Sequence, residues 1–262
     1  MKNRITALFE KKEENILSIY FTAGYPELND TLKIISQLEK SGADLVEIGM
    51  PFSDPIADGP VIQQSSEIAL KNGMTIQVLF EQLKEIRKSL SIPLILMGYL
   101  NPVMQYGVEK FCIKCKEIGV DGTIIPDLPL EIYETEYKEI FEKNSLSNIF
   151  LVTPQTSDKR IRKIDSLSTG FIYMVSSSST TGVKGAVSEE QISYFERIRS
   201  MNLRSRRLIG FGIYDKISFE KACIYANGAI IGSAFVKALE GDGTIKTKVY
   251  SFIQKIFKNG IQ

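Results

Sequence analysis

Short apolar runs alternate with amphipathic stretches along almost the whole chain. Eight runs read as strands, at 17–22, 45–48, 94–98, 122–125, 149–152, 171–175, 208–211 and 229–232. Where a run is apolar on both faces, as at Leu45, Val46 and Ile48, it fits a strand covered from both sides, as in parallel sheets. Between the runs, apolar residues recur at helical spacing. Leu28, Leu32, Ile35 and Leu38 form one stripe; Ile76, Leu79, Phe80, Leu83, Ile86 and Leu90 form a stronger one. Tyr133, Tyr137, Ile140 and Phe141 make a third, and Val249, Phe252, Ile253 and Ile256 a closing helix. Ser188-Glu-Glu-Gln191 has the form of a capping box, and Asn227-Gly228 stands where a helix C-cap precedes a strand.

Strands joined by helices must bury both sheet faces, so the class is α/β. Eight such units favour a closed (β/α)8 TIM barrel over an open sheet. The segment 1–15 reads as an extra N-terminal helix covering the barrel bottom. No linker-like stretch divides the chain, and 1–262 reads as one domain. The interval between the second and third strands is the longest, and its excess follows Glu47. In a barrel that places an insertion on the carboxyl-terminal face, where active sites lie.

Composition narrows the partners. With 32 Lys+Arg against 31 Asp+Glu the net charge is +1, which suggests neither nucleic acid nor an anionic membrane. The apolar runs are too short to span a bilayer, and the charged start MKNRITALFEKKEEN is unlike a signal peptide, so a cytoplasmic location is expected. Three cysteines fit a reducing compartment. Cys112 and Cys115 have CxxC spacing, but they fall inside a helical stretch and read as packing, and no metal site is expected. The chain has no histidine, so acid–base chemistry must fall to Asp, Glu, Tyr, Lys or Cys.

Four constellations stand out. Glu47 interrupts an apolar strand, and Asp58 lies in the loop DPIADGP that follows. Two carboxylates in different settings can hold different pKa values and take different roles. Alternatively, Glu47 meets a core cation and Asp58 caps a turn. Gly210-Phe-Gly212 and Gly232-Ser233-Ala234 follow strands seven and eight, where barrel enzymes bind phosphate with backbone N–H groups. The run SSSSTTGVKG at 176–185 follows strand six and reads as an active-site lid rather than a linker. Tyr99 and Asn101 follow strand three, with pocket-lining and loop-holding roles both open.

Taken together, FTAGYP at 21–26, DLVEIGMPFSDPIADGP at 44–60, MGYLNP at 97–102, IIPDLP at 124–129, the STTG loop, GFGI at 210–213 and GSAFVK at 232–237 resemble the tryptophan synthase alpha subunit family. The resemblance spans nearly the whole chain, and VEIGMPFSDPIADGP is its most specific part. It implies retro-aldol cleavage of indole-3-glycerol phosphate to indole and glyceraldehyde 3-phosphate, with no cofactor in this chain. By that resemblance Glu47 is the catalytic acid–base, Asp58 accepts the indole N–H, and Tyr173 stands beside the glutamate. It also implies substrate or phosphate contacts at Tyr20, Thr181, Gly182, Phe211, Gly212, Gly232 and Ser233. The implied partner is a beta subunit holding pyridoxal phosphate in an alpha2beta2 assembly, met near Pro51, Asp54 and Pro55. Ser179 and Thr180 depart from the glycine and valine that many members carry in the lid. Rival readings are a stand-alone lyase releasing free indole, another phosphate-binding barrel, and a non-catalytic barrel that regulates a partner.

Overall fold

The computed structural model describes residues 3–176, 188–210 and 212–257. Eight parallel strands close a barrel in sequence order: Ile16–Thr22 (β1), Leu45–Gly49 (β2), Leu94–Met97 (β3), Gly122–Ile124 (β4), Ser147–Val152 (β5), Phe171–Val175 (β6), Arg206–Gly210 (β7) and Gly228–Ile231 (β8). β8 returns to pair with β1. All eight predicted strands are present, shifted at their ends by at most two residues.

Helices are numbered in chain order. Arg4–Lys11 (α1) precedes the barrel, Thr31–Ser41 (α2) links β1 to β2, and Pro60–Lys71 (α3) with Ile76–Leu83 (α4) links β2 to β3. The surplus length after Glu47 is thus a loop plus one additional helix. Leu100–Tyr106 (α5) and Val108–Ile118 (α6) precede β4; Leu130–Ile132 (α7) and Lys138–Lys143 (α8) precede β5. Asp158–Leu167 (α9), Glu189–Ser200 (α10) and Lys216–Tyr225 (α11) follow, then Ser233–Ala238 (α12) and Ile245–Phe257 (α13) after β8.

α1 lies across the amino-terminal ends of the strands, as expected of a bottom cover. Its N-cap Asn3 donates through Nδ2 to the Asp121 carbonyl at 2.7 Å. Phe9 packs on Phe171, the first residue of β6, with ring centroids 6.1 Å apart. Below β4, Arg87 Nη2 meets Asp121 Oδ2 at 2.7 Å and Arg4 Nη1 meets Oδ1 at 3.0 Å. The Leu94 N–H donates to the same carboxylate at 2.9 Å, so both oxygens are used.

Three sequence expectations shift. The first stripe is rotated: α2 buries Thr31, Ile34, Ile35 and Leu38, while Leu32 is 40% exposed. Leu28 belongs to a 3-10 turn ahead of the helix, and this tighter winding moves the phase of the residues after it. In the third stripe a π-helical turn at Tyr133–Tyr137 leaves Tyr133 and Phe141 buried and Tyr137 and Ile140 only partly so. Asn227-Gly228 is not a left-handed cap. Gly228 opens β8, where an added Cβ would fall 2.1 Å from the Ile16 carbonyl oxygen, so glycine permits the close approach of β1. Asn227 instead bridges loops, its Oδ1 accepting from the Arg207 N–H and its Nδ2 donating to the Glu13 carbonyl, both at 2.9 Å.

The closing helix buries the four predicted residues, and the capping box at Ser188 forms with both of its hydrogen bonds. Cys112 and Cys115 are buried on one side of α6, and burial raises both thiols, Cys112 to about 12. They pack the helix as neutral groups.

Candidate active site

Glu47 is the third residue of β2 and has no exposed surface. Strand alternation turns it into the barrel along with Gly49. Its Oε1 accepts from Ser18 Oγ of β1 at 2.7 Å. Its Oε2 is buried with no hydrogen-bond partner among the described residues. The core-cation alternative for Glu47 is therefore not what forms: among the described residues no ion pair reaches it. Burial raises its carboxyl from the ordinary 4.5 to about 8, the Ser18 hydrogen bond opposing the rise.

Asp58 stands just before the glycine that starts α3, with Pro60 at the first helical position. It is half-buried rather than freely solvated, and burial raises it from 3.8 to about 6. The Tyr99 hydroxyl donates to Asp58 Oδ2 at 3.0 Å and opposes that rise. Tyr99 also accepts from the Ala57 N–H at 3.0 Å and packs on Phe52, so it grips the loop at three points. From the other side Gln63 of α3 donates through Nε2 to the Asp58 carbonyl at 2.9 Å.

Two tyrosines complete the cluster. Tyr20 of β1 is the register partner of Glu47, and its hydroxyl lies where a Cβ on Gly49 would be, 2.2 Å away. The Tyr173 hydroxyl of β6 likewise fills the place of a Cβ on Gly210, at 2.1 Å. Glycine at the carboxyl ends of β2 and β7 is what lets these rings lie across the barrel mouth. Burial, then Asp58, with a smaller push from Glu47, holds Tyr20 well above the ordinary tyrosine range. Burial, then Glu47 and Asp58, does the same for Tyr173. Both hydroxyls therefore stay neutral across the physiological range.

Of the predicted phosphate positions, Gly212, Gly232 and Ser233 lie among the described residues. Gly212 follows β7, and Gly232 caps α12, whose first residue is Ser233. Gly232 adjoins Tyr20, with its Cβ position 3.5 Å from the ring. Thr181, Gly182 and Phe211 lie outside the described residues, as do Ser179, Thr180 and all of the expected lid beyond Ser176. Pro51, Asp54 and Pro55 share the loop that ends in Asp58; Asp54 is exposed, and Ile56, next after Pro55, is 88% exposed. Asn101 is exposed, on α5.

Sequence reasoning missed Ser18 and Gln63, and left Tyr99 without a role. The signal for Ser18 was present, since alternation puts residues 18, 20 and 22 on one face of β1. That for Tyr99 was not, because its contact with Asp58 joins loops after different strands.

The sequence and the architecture have close counterparts. The family model described as "Tryptophan synthase alpha chain" matches residues 6–260. The alpha chain of Flavobacterium johnsoniae is 60% identical over 254 residues, 97% of this chain and 99% of the relative. That of Flavobacterium psychrophilum is 58% identical, covering 97% of this chain and all of the relative. Among solved structures, the alpha chain of Legionella pneumophila subsp. pneumophila superposes with a TM-score of 0.87 at 32% identity, covering 98% of this chain and 96% of that one. A tryptophan synthase complex from Pyrococcus furiosus does so at 0.84 and 33% identity, covering 93% and 98%. Matching in sequence and in fold over nearly its full length, this chain belongs to the tryptophan synthase alpha chain family.

Proposed function

We propose that the chain is the alpha subunit of tryptophan synthase, cleaving indole-3-glycerol phosphate to indole and glyceraldehyde 3-phosphate, with Glu47 shuttling the proton. The observation that carries this reading is the unequal carboxylate pair, Glu47 at about 8 and Asp58 at about 6. At neutral pH the first holds its proton and the second is ionised, which are the starting states the reaction requires.

Protonated Glu47 gives its proton to indole C3, and Asp58 accepts the ring N–H as positive charge develops on the nitrogen. The hydroxyl on the carbon bonded to C3 then returns a proton to the Glu47 carboxylate. The C–C bond breaks as that carbon becomes an aldehyde, and the bonding pair passes into the ring and neutralises it. One proton has moved from hydroxyl to C3, and Glu47 ends as it began. Tyr173 and Tyr20, both neutral, wall the reacting ring and exclude water. Gly212, Gly232 and Ser233, joined by Thr181 and Gly182, offer backbone N–H and hydroxyl groups to the phosphate, with Phe211 on the pocket wall.

Side chains alone supply this chemistry; pyridoxal phosphate belongs to the beta subunit, which takes up the indole. Pro51, Asp54 and Pro55 lie on the loop that carries Asp58, and a beta subunit docked there would act directly on that carboxylate. The reading treats 1–262 as one domain working in the cytoplasm. In support, among the described residues no helix is long and apolar enough to cross a membrane.

The test is indole release from indole-3-glycerol phosphate across pH, with and without a beta subunit. Turnover is expected to rise as Asp58 ionises near pH 6 and to fall as Glu47 ionises near pH 8. Glu47→Gln is expected to cost roughly a thousandfold, within the span of a lost general acid–base. Turnover by that variant within about tenfold of the parent would sink the assignment.

A further inference from the structure

The inward face of β1 carries three buried hydroxyl groups in a column: Ser18, Tyr20 and Thr22. Only one of them hydrogen-bonds the Glu47 carboxyl. Thr22 hydrogen-bonds to Tyr20 and shares a 2.6 Å hydrogen bond with Ser65 Oγ, tying β1 to α3. Ser18 alone turns to Glu47. It is level with Leu45, one inward position below the glutamate, and its hydroxyl reaches up to Oε1.

A carboxyl on two single bonds can turn either oxygen toward a substrate, and once ionised it can take a proton back on either oxygen. The Ser18 hydrogen bond removes that freedom. It occupies Oε1 and leaves Oε2 without a protein partner among the described residues. A hydroxyl donor also favours the ionised carboxyl over the neutral one.

We propose that Ser18 is a positioning residue for the cleavage, committing Glu47 Oε2 to both proton transfers and steadying the carboxylate that exists between them. This rests on the reading of Glu47 as the shuttle. The other titratable groups facing Glu47 are Tyr20 on β1 and Tyr173 on β6, and both of these also feel Asp58 on the loop after β2. Both tyrosines stay neutral and Asp58 titrates lower, so loss of Ser18 moves one limb of the pH profile. No lysine or arginine among the described residues contributes to the Glu47 carboxyl.

The experiment measures indole release by Ser18→Ala, Ser18→Thr and Ser18→Cys across pH, beside Glu47→Gln. In Ser18→Ala, kcat is expected to fall about tenfold with KM within about threefold, and the basic limb to move up by about one pH unit, the size of a lost charge-assisted hydrogen bond. Ser18→Thr, which keeps the hydroxyl, should restore both. Ser18→Cys, a weaker donor of similar size, should fall between them and covers the case in which alanine does not fold. A drop in kcat with the basic limb unmoved would mean that the hydroxyl only packs, and would overturn the proposal. So would Ser18→Ala with an unchanged kcat. An active Glu47→Gln would instead remove the shuttle reading itself, so the two failures are told apart.

Discussion

Glu47 and Asp121 are both buried carboxylates, 0% and 3% exposed, at opposite ends of the same barrel. Asp121 lies just before β4 at the amino-terminal end and is held by Arg87, Arg4 and the Leu94 N–H. Arg87 is itself fixed by the Gly119 carbonyl, at 2.7 Å from Nη2 and 2.9 Å from Nε, and by the Ile92 carbonyl at 2.7 Å. Glu47 has one serine hydroxyl and a bare oxygen. The same functional group therefore serves two ends. Full satisfaction makes a carboxylate a clamp, while partial satisfaction leaves it able to take up and release a proton.

Three substitutions sharpen or break this contrast. Asp121→Ala strands a partly buried guanidinium, and should lower stability by about 3–5 kcal/mol while the folded fraction keeps its kcat. A shift in the urea midpoint with unchanged turnover per folded molecule checks this. A matching loss of kcat would show that the two ends are not separable.

Glu47→Gln should act in the opposite sense on stability. Between pH about 4.5 and about 8 the folded chain keeps a proton that the unfolded chain releases. Folded protein binds more protons there, so stability falls as pH rises through that window. Glutamine has no such penalty, and the variant should be more stable than the parent at pH 8 by on the order of 4 kcal/mol, and equal to it below the window. Urea unfolding at both pH values reads the difference. A variant less stable at pH 8 would mean that Glu47 is satisfied after all.

The smallest effect belongs to the loop. Tyr99→Phe removes the donor that holds Asp58 down, so the acid limb of the pH profile should move upward, with about threefold less activity near pH 6 and little change at pH 8. An unmoved acid limb would separate Tyr99 from the Asp58 charge.

Much of this was legible in one dimension. The eight strands could be read because apolar runs of strand length between periodic helices have few other interpretations. Glu47 stood out because a carboxylate on such a strand is costly unless used. Helix phase was less legible: Leu32 was assigned inward and points outward, since a 3-10 turn at Leu28–Asp30 leaves no separate mark in the hydrophobic pattern. Asn227-Gly228 has the place of a helix C-cap in sequence, but close contact with Ile16 is what requires glycine there. The loop DPIADGP gives no sign of burial in sequence, yet Tyr99 and the barrel mouth half-bury Asp58 within it.

The sequence by itself determined the barrel, the family likeness and the two carboxylates, because periodicity and motif order are local properties of the chain. Only the tertiary structure decided how those carboxylates differ. A pKa depends on what surrounds a group in three dimensions, and here the partners come from other strands: Ser18 on β1 for Glu47, Tyr99 after β3 for Asp58, Arg87 before β3 for Asp121. Closing the barrel brings them within hydrogen-bond reach, and that reach separates a fully held carboxylate at one end from one with a bare oxygen at the other.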